Sequence, residues 1–208
     1  VMDNIWLGRY PTKLGFVTSE KERYKRTKEI FESLRISTDP RMIMSRMSVA
    51  ERQMVEIAKA VSYDSKIIVL DEPTSSLTDR EVGHLFRIIN TLRDRGCGII
   101  YISHKMDEIL QISDDIAVMY LGNIVEMGTT KEICTNAKHP YTQALFSAVP
   151  IANPHKKSDP VALEGELPSP ANPPKGCKFH TRCKHCMDCC STEPPVMTEV
   201  TPGHFVAC

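Results

Sequence analysis

Two adjacent carboxylates follow a short apolar run in the stretch IIVLDEPTSSLTD, residues 67–79. The run predicts a strand of a parallel sheet that is buried on both faces. Asp71 and Glu72 then lie at the carboxyl end of that strand, where open α/β sheets bind their ligands. An aspartate there can hold Mg²⁺ through water, and a neighbouring glutamate can orient or deprotonate a water that attacks a phosphate. The stretch therefore indicates phosphate chemistry.

A histidine ends the next predicted strand, in the stretch YISHK. If the two strands are neighbours in one sheet, His104 lies beside the two acids and can donate a hydrogen bond to a phosphate. The alternative is a purely structural one, in which Asp71 and Glu72 cap a helix and His104 is a surface residue.

Helices and strands alternate around these residues. Three helices are predicted, at residues 19–36, at residues 47–61 and in a segment that begins after Thr78. Each combines apolar residues at helical spacing with a Ser or Thr followed three residues later by Glu, the capping-box pattern. Residues 66–70 and 97–103 read as strands, and two further strands around 115–128 read as a hairpin-like pair. This order predicts an α/β fold with a parallel sheet.

The bulk composition narrows the class of protein. The 208 residues fit one domain, or one domain with an appendage. Lys and Arg (26) balance Asp and Glu (26), so we expect no nucleic-acid partner. No apolar run approaches the roughly 20 residues of a membrane-spanning helix. The start of the chain has neither the features of a signal peptide nor an initiator Met, and we expect an intracellular protein whose sequence begins inside its gene.

Cysteine and proline mark the last third of the chain. Ten of the 14 prolines follow residue 149, and six of the eight cysteines follow residue 176. In a reducing compartment such a cysteine cluster indicates a metal site before it indicates disulfides. We therefore predict compact structure over residues 1–149, a Pro-rich linker over 150–175 and a Cys-rich extension over 176–208.

Three motifs in this order, MSVAERQMVEIAKAV, IIVLDEPTSSLTDREV and YISHK, resemble the ATP-binding cassette of ABC transporters. The resemblance implies a P-loop NTPase-type α/β cassette, with a helical subdomain at about residues 15–62, that binds ATP and Mg²⁺. The resemblance also implies a variant of the signature motif, in which Val and Ala replace the usual glycines. This motif would face the γ-phosphate across a cassette dimer, and its residues are Ser48, Val49, Ala50 and Glu51.

The same resemblance implies the roles of the strand-end residues. Asp71 corresponds to the Walker B aspartate, which holds Mg²⁺ through water, and Glu72 corresponds to the catalytic glutamate. Ser76 lies in the D-loop, which here ends in Thr78 instead of an aspartate. His104 corresponds to the switch histidine.

The phosphate loop that such a site needs is missing from the sequence. The pattern G-x-x-x-x-G-K-S/T occurs nowhere in the 208 residues, and the glutamine loop of the family is missing too. We therefore expect a cassette that lacks its N-terminal part, and a chain that by itself is inactive as an ATPase.

Two branches of the family are recognisable along the chain. Residues 1 to about 112 resemble the sugar importer ATPases of the galactose/methyl galactoside type. Residues from about 113 to 208, with HPYTQAL and PGHFVAC, resemble the C-terminal region of oligopeptide/dipeptide importer ATPases. The resemblance changes from one branch to the other near residues 105–115. A recombined gene and a wrongly joined sequence are both possible explanations of this change.

The peptide-importer resemblance implies a set of cluster ligands. The cysteines that match the 4Fe–4S ligands of that family are Cys177, Cys183, Cys190 and Cys208. Four thiolates on short loops can enclose a four-iron cluster or Zn²⁺. Cys186 and Cys189 are extra, so the ligand choice stays open, and free reduced thiols are the alternative.

These observations imply the ATP-binding subunit of an ABC importer. It would couple ATP hydrolysis to uptake of a sugar such as a galactoside, or of an oligopeptide or dipeptide, at the cytoplasmic face of the cell membrane. Its partners would be a second cassette in a homo- or heterodimer, transmembrane permease subunits and, indirectly, a periplasmic or extracellular solute-binding protein. Two alternatives remain: an inactive partial or recombinant fragment, and a metal-binding interaction module whose functional part is the Cys-rich tail.

Overall fold

The computed structural model describes residues 1–13, 17–149 and 163–208. These residues form two compact units, Val1–His104 and Lys105–Cys208, and each unit is described by itself. Residues 150–162 of the predicted linker lie outside the described residues, and the linker's remainder, 163–175, contains no helix or strand.

The first unit contains helices and two small sheets. Its helices are α1 (Met2–Ile5), α2 (Glu20–Leu34), α3 (Val49–Val61) and α4 (Asp79–Asp94), with a short 3-10 helix at Met44–Arg46. The strands β1 (Thr12–Lys13) and β2 (Val17–Thr18) pair antiparallel, and β3 (Ile67–Asp71) and β4 (Gly98–Ile102) pair parallel. The predicted helices and the parallel pairing of β3 with β4 are confirmed, whereas the periodicity of the sequence gave no sign of the single-turn α1.

The helices begin where the capping pattern predicts. Ser48 Oγ accepts the Glu51 N–H at 3.2 Å, and Glu51 Oε2 accepts the Ser48 N–H at 2.8 Å, which completes a capping box at the start of α3. At the start of α4, Glu81 Oε2 accepts the Thr78 N–H at 2.8 Å. Ser19 caps α2 through its hydroxyl oxygen. These side chains satisfy N–H groups that have no partner within the first helical turn.

Helices α1, α2 and α3 pack together around a small apolar core. Phe31 and Leu34 of α2 and Val55 of α3 are buried there. Trp6, just after α1, donates its indole N–H to Thr27 Oγ1 of α2 at 2.9 Å inside this core. Pairing the indole with a hydroxyl removes the cost of burying two polar groups without partners.

The prediction that β3 and its neighbour are buried on both faces is wrong for the described residues. Along β3, Ile68 and Leu70 are buried, but Ile67 and Val69 are 63% and 58% exposed. Ile100 of β4 is also exposed on this sheet. The physical reason is that α4 packs against this sheet, with Phe86 edge-on to the Tyr101 ring at 6.2 Å; an apolar run does not tell which of its faces another element covers.

The second unit contains an antiparallel sheet that the tail completes. Its elements are α5 (Met106–Ile112), β5 (Asp115–Tyr120), β6 (Asn123–Thr129), α6 (Thr130–Asn136), α7 (Pro140–Ser147), β7 (Met197–Thr201) and β8 (His204–Ala207), with 3-10 helices at His180–Arg182 and Asp188–Ser191. The strand order is β5-β6-β8-β7. The predicted hairpin at 115–128 is confirmed as β5 and β6, but the pairing of the C-terminal strand with β6 was not predicted.

An aromatic residue of the Cys-rich tail is part of the core of the second unit. Phe179 is 2% exposed and lies edge-on to Tyr120 of β5 at 5.1 Å. Cys177 and Cys183 pack against the same cluster. The Cys-rich segment is therefore held by apolar packing in the described structure.

Within the described ranges, no helix combines the length and the apolar character that a membrane crossing requires.

Candidate functional site

The two strand-end residues Glu72 and His104 are in contact. The Glu72 N–H donates to the Ile102 carbonyl at 2.9 Å, which extends the pairing of β3 with β4 by one residue. Glu72 Oε1 lies 2.8 Å from His104 Nδ1 and accepts the His104 backbone N–H at 3.1 Å. The parallel register thus brings together an acid and a histidine that are 32 residues apart in the chain.

Glu72 carries two further features of a functional residue. Its φ is +45°, in the left-handed region, which costs an L-residue about 1–2 kcal/mol. Its second carboxylate oxygen, Oε2, is buried and accepts no hydrogen bond from the described protein atoms. Strained backbone and an unsatisfied buried acceptor occur together at sites where a ligand or a bound water completes the structure.

Asp71 and Ser76 lie on either side of Glu72, and both are exposed. Asp71 is the last residue of β3 and pairs in register with Ile102. Ser76 lies in the turn that separates β3 from α4. An exposed carboxylate at a strand end suits a magnesium ion that keeps most of its waters, and nothing in the described structure blocks access to it.

The signature-like residues form the start of α3. Ser48 and Val49 are exposed, whereas Ala50 is buried in the helical core. Glu51 Oε2 accepts from both the backbone N–H and the hydroxyl of Ser48, at 2.8 and 3.0 Å. The helix N-terminus, which favours an anion, is thus occupied by a carboxylate of the chain itself.

The four cysteines singled out in the tail interact electrostatically. Burial raises the pKa of the Cys208 thiol, and the thiols of Cys183, Cys177 and Cys190 raise it further. Burial is also the largest cause of the raised pKa of Cys177, and Cys190 and Cys183 add to it. The Cys177 N–H donates to the Cys190 carbonyl at 2.8 Å. The thiols of Cys177 and Cys208 therefore lie in the neighbourhood of those of Cys183 and Cys190.

The described residues do not form a site for a single metal ion. No group of three or more His, Cys, Asp or Glu side chains among them is arranged to hold one. Four soft thiols are the donor chemistry of both iron–sulfur clusters and zinc sites, but the described residues show no group arranged to hold either.

The two extra cysteines belong to the same group of thiols. Cys186 and Cys189 are exposed, and the pKa of each is raised by desolvation first and then by interaction with Cys190. Gly176 keeps this region compact: its φ is +63°, and a Cβ there would collide with the Cys190 carbonyl oxygen and lie 2.8 Å from the Ser191 carbonyl carbon. The geometry thus does not show which four of the six tail cysteines would be ligands.

A buried charged cluster in the second unit was not predicted. Glu126 on β6 and His204 on β8 are both fully buried, and His204 Nε2 lies 2.7 Å from Glu126 Oε1. His139, also buried, has a lowered pKa because of burial, an effect that the charge of Glu126 opposes. In the sequence, a glutamate within a strand is indistinguishable from one on a solvated face, so no pattern could have identified this cluster.

Two family models match separate parts of the chain. Residues 3–75 match the model described as ABC transporter. This stretch is therefore similar to part of an ABC transporter ATP-binding protein. Residues 125–190 match the model described as oligopeptide/dipeptide transporter, C-terminal region. The predicted combination of these two segments in one chain is thereby confirmed.

Curated relatives match the ATP-binding segment. The chain is 59% identical over 119 residues to the galactose/methyl galactoside import ATP-binding protein MglA 2 of Photobacterium profundum, which covers 57% of this chain and 24% of that protein. It is 57% identical over 135 residues to the protein MglA of Fusobacterium nucleatum, which covers 65% of this chain and 27% of the relative. The chain thus spans about a quarter of the length of the curated relatives it matches.

Solved structures support the fold. The ATP-binding cassette MJ1267 of an ABC transporter superposes with a TM-score of 0.57 at 22% identity, over 70% of this chain and 61% of that one. A nucleotide-free ATP-binding cassette from an ABC transporter gives a TM-score of 0.56 at 23% identity, over the same shares of the two chains. The mixed α/β architecture is therefore that of ABC ATPase cassettes.

Proposed function

We propose that this chain contributes ATP-hydrolysing residues to the ATP-binding subunit of an ABC importer. The observation that carries the proposal is the contact of Glu72 with His104 at the ends of two neighbouring parallel strands. Glu72 would orient or deprotonate the attacking water, for which its buried, unsatisfied Oε2 is suited. His104, held through Nδ1, would present Nε2 to the γ-phosphate when its ring is protonated.

Nucleotide binding in this proposal involves two further groups. Asp71 would hold Mg²⁺ through water, on ATP bound by a phosphate loop that the 208 residues do not contain. The start of α3 and the D-loop would contact ATP held by a second cassette, in a homo- or heterodimer, through Ser48, Val49, Ala50, Glu51 and Ser76. The Glu51 carboxylate would have to leave the helix N-terminus for a phosphate to bind there.

The organisation of the whole protein follows the same proposal. Residues 1–149 would be the C-terminal part of the ATPase domain with a helical subdomain at about 15–62, followed by a linker at 150–175 and the extension at 176–208. The subunit would associate with transmembrane permease subunits at the cytoplasmic face of the membrane and, through them, with a solute-binding protein. The named relatives favour a galactoside as solute, whereas the match at residues 125–190 favours a peptide. A recombination near residues 105–115 would account for both.

The proposal is tested by assaying Mg-ATP turnover of the 208-residue chain and of a protein in which an upstream phosphate loop precedes it. We expect negligible turnover by the chain alone, because the loop's N–H groups and lysine supply most of the phosphate contacts, and clear turnover when the loop is present. Steady hydrolysis by the 208-residue chain that disappears in Glu72→Gln would contradict the need for the loop.

A second function is favoured by the packing of the tail cysteines. Cys177 and Cys183 pack against the apolar cluster around Phe179, and the Cys177 N–H donates to the Cys190 carbonyl at 2.8 Å. We propose that Cys177, Cys183, Cys190 and Cys208 hold a 4Fe–4S cluster, which would cross-link a segment too short to build a large apolar core.

This cluster is tested by iron and sulfide analysis and visible absorption of anaerobically produced protein. Single Cys→Ser changes at the four positions should lower the iron content strongly, whereas Cys97→Ser and Cys134→Ser, which lie outside the tail, should leave it unchanged. Stoichiometric zinc without iron would replace the cluster by a zinc site. Iron lost in Cys186→Ser but retained in Cys190→Ser would show that the ligand set is different.

A further inference from the structure

We infer that Glu126 and His204 are positioning residues for the tail: their buried pair fixes β8 on β6 and thereby sets the position of Cys208, the residue that follows β8. The inference rests on the proposed thiol centre, since it assigns a role within that centre. It does not depend on which group the thiols bind.

The Glu126 carboxylate is fully occupied by three donors. Oε1 accepts the Lys138 N–H at 2.6 Å and lies 2.7 Å from His204 Nε2, while Oε2 accepts the His139 N–H at 3.0 Å. Both Glu126 and His204 are fully buried. A carboxylate without such donors would be very unfavourable in this position, and charge-assisted hydrogen bonds are among the strongest in proteins. The pair is therefore a strong and geometrically specific contact.

The His204 contact is the one that joins the tail to β6. The other two donors come from the backbone just before α7, so they hold Glu126 whether or not the tail is docked. The β6–β8 ladder is short, with Glu126 opposite Val206 and Met127 opposite Phe205. A ladder of this length leaves strand register weakly specified, whereas the buried contact between His204 and Glu126 permits one register.

The position of Cys208 depends directly on this register. Cys208 follows Ala207, the last residue of β8, and lies four residues after His204. A slip of one residue would move it by about 3.3 Å and turn its side chain to the other face. In the observed register its thiol is in electrostatic range of three thiols and of Glu126.

The seat of the His204 ring is shaped for it on two further sides. A Cβ on Gly128 of β6 would lie 3.4 Å from the ring carbon Cδ2, so the absence of a side chain there leaves the ring its space. On the opposite edge, Nδ1 lies 3.5 Å from Oε2 of the half-exposed Glu132. The ring thus lies between β6 and α6, and Nδ1 makes no hydrogen bond with the described protein atoms. A shorter or rotated side chain would not reach Glu126.

The experiment uses the complete chain, reduced and free of metal, with dibromobimane, a short bifunctional reagent that becomes fluorescent when it bridges two thiols. Peptide mapping assigns each bridge. The wild-type protein should give bridges from Cys208 to the other tail cysteines, and a bridge between Cys177 and Cys190. In His204→Gln the yield of Cys208 bridges should fall about tenfold, because the flexible amide does not fill the space of the ring and holds the buried Glu126 carboxylate less firmly, while the Cys177–Cys190 bridge persists.

Two control variants separate positioning from general loss of structure. His185→Gln makes the same change at an exposed tail histidine and should leave all bridges intact. Val206→Ala trims the buried packing of β8 but keeps the ion pair, so Cys208 bridges should remain.

Each outcome decides the inference. Cys208 bridges that persist in His204→Gln would overturn it. If all bridges disappear in His204→Gln, the Val206→Ala variant decides. Intact bridges in Val206→Ala support the positioning role of Glu126 and His204, and an equal loss of bridges overturns it. Iron content is measured in parallel. If the wild type binds no iron but its Cys208 bridges depend on His204, the cluster is refuted and the inference stands. If His204→Gln binds iron as well as the wild type and retains its bridges, the inference is refuted and the cluster stands.

Discussion

At the scale of single residues, the main finding is that Glu72 combines three features that structural glutamates rarely share. It is in the left-handed region, its Oε1 is paired with a histidine and its Oε2 is buried without a protein partner. The strain must be offset by the sheet pairing on either side, since the Glu72 N–H still bonds to the Ile102 carbonyl. This combination is the reason that the proposed function assigns the water-activating role to Glu72.

Gly176 offers a prediction at the same scale. Gly176→Ala should destabilise the second unit by more than the roughly 1–2 kcal/mol that a left-handed φ costs an alanine, because its Cβ would collide with the backbone between Cys190 and Thr192. Thermal unfolding followed by circular dichroism measures the effect.

Gly203→Ala is the matched control, since Gly203 has a similar φ of +77° and nothing within 4 Å of an added Cβ. It should cost only the backbone strain. Equal losses in the two variants would show that the backbone around Cys190 yields to the new methyl group, and that the tail is not closely packed there.

At the scale of elements, α3 and the β3–β4 pair each lack one partner. The N-terminus of α3 is neutralised by Glu51, so a phosphate at that helix end must compete with an internal carboxylate. One face of β3 and β4 is covered, while Ile67, Val69 and Ile100 of the other are exposed. Under the proposed function, the helix end would face ATP bound by a second cassette, and the exposed sheet face would be covered by a part of the cassette that the 208 residues do not contain.

At the scale of the whole molecule, local signals were sufficient for helices α2, α3 and α4 and for strands β3 to β6, but not for the other elements. The capping pairs at Ser48 and Thr78 predicted where two helices begin, because an N-cap is a contact between near neighbours in sequence. The proximity of Glu72 and His104 could be predicted from the sequence, because neighbouring parallel strands end at the same edge of a sheet.

Non-local features could not be predicted in this way. The addition of the four-residue β8 to β6 depends on a pairing about 80 residues apart in the chain, for which alternation within β8 gives no partner. The burial of Glu126 depends on polar partners from two separate segments, the backbone before α7 and strand β8, and the open face of β3 depends on which elements cover it. The assigned domain limits and the roles of the site residues remain proposals for the same reason.

The central claim, that Glu72 activates the water that hydrolyses ATP, is tested most directly by comparing nucleotide binding with turnover in Glu72→Gln, in a protein that includes a phosphate loop. The amide keeps the size of the side chain but cannot act as a base, so hydrolysis should fall roughly 10²–10⁴-fold while ATP binding is retained. Glu29→Gln, a change of the same kind on the exposed surface of α2, should alter neither. Unchanged hydrolysis in Glu72→Gln, or loss of ATP binding together with turnover, would contradict the account.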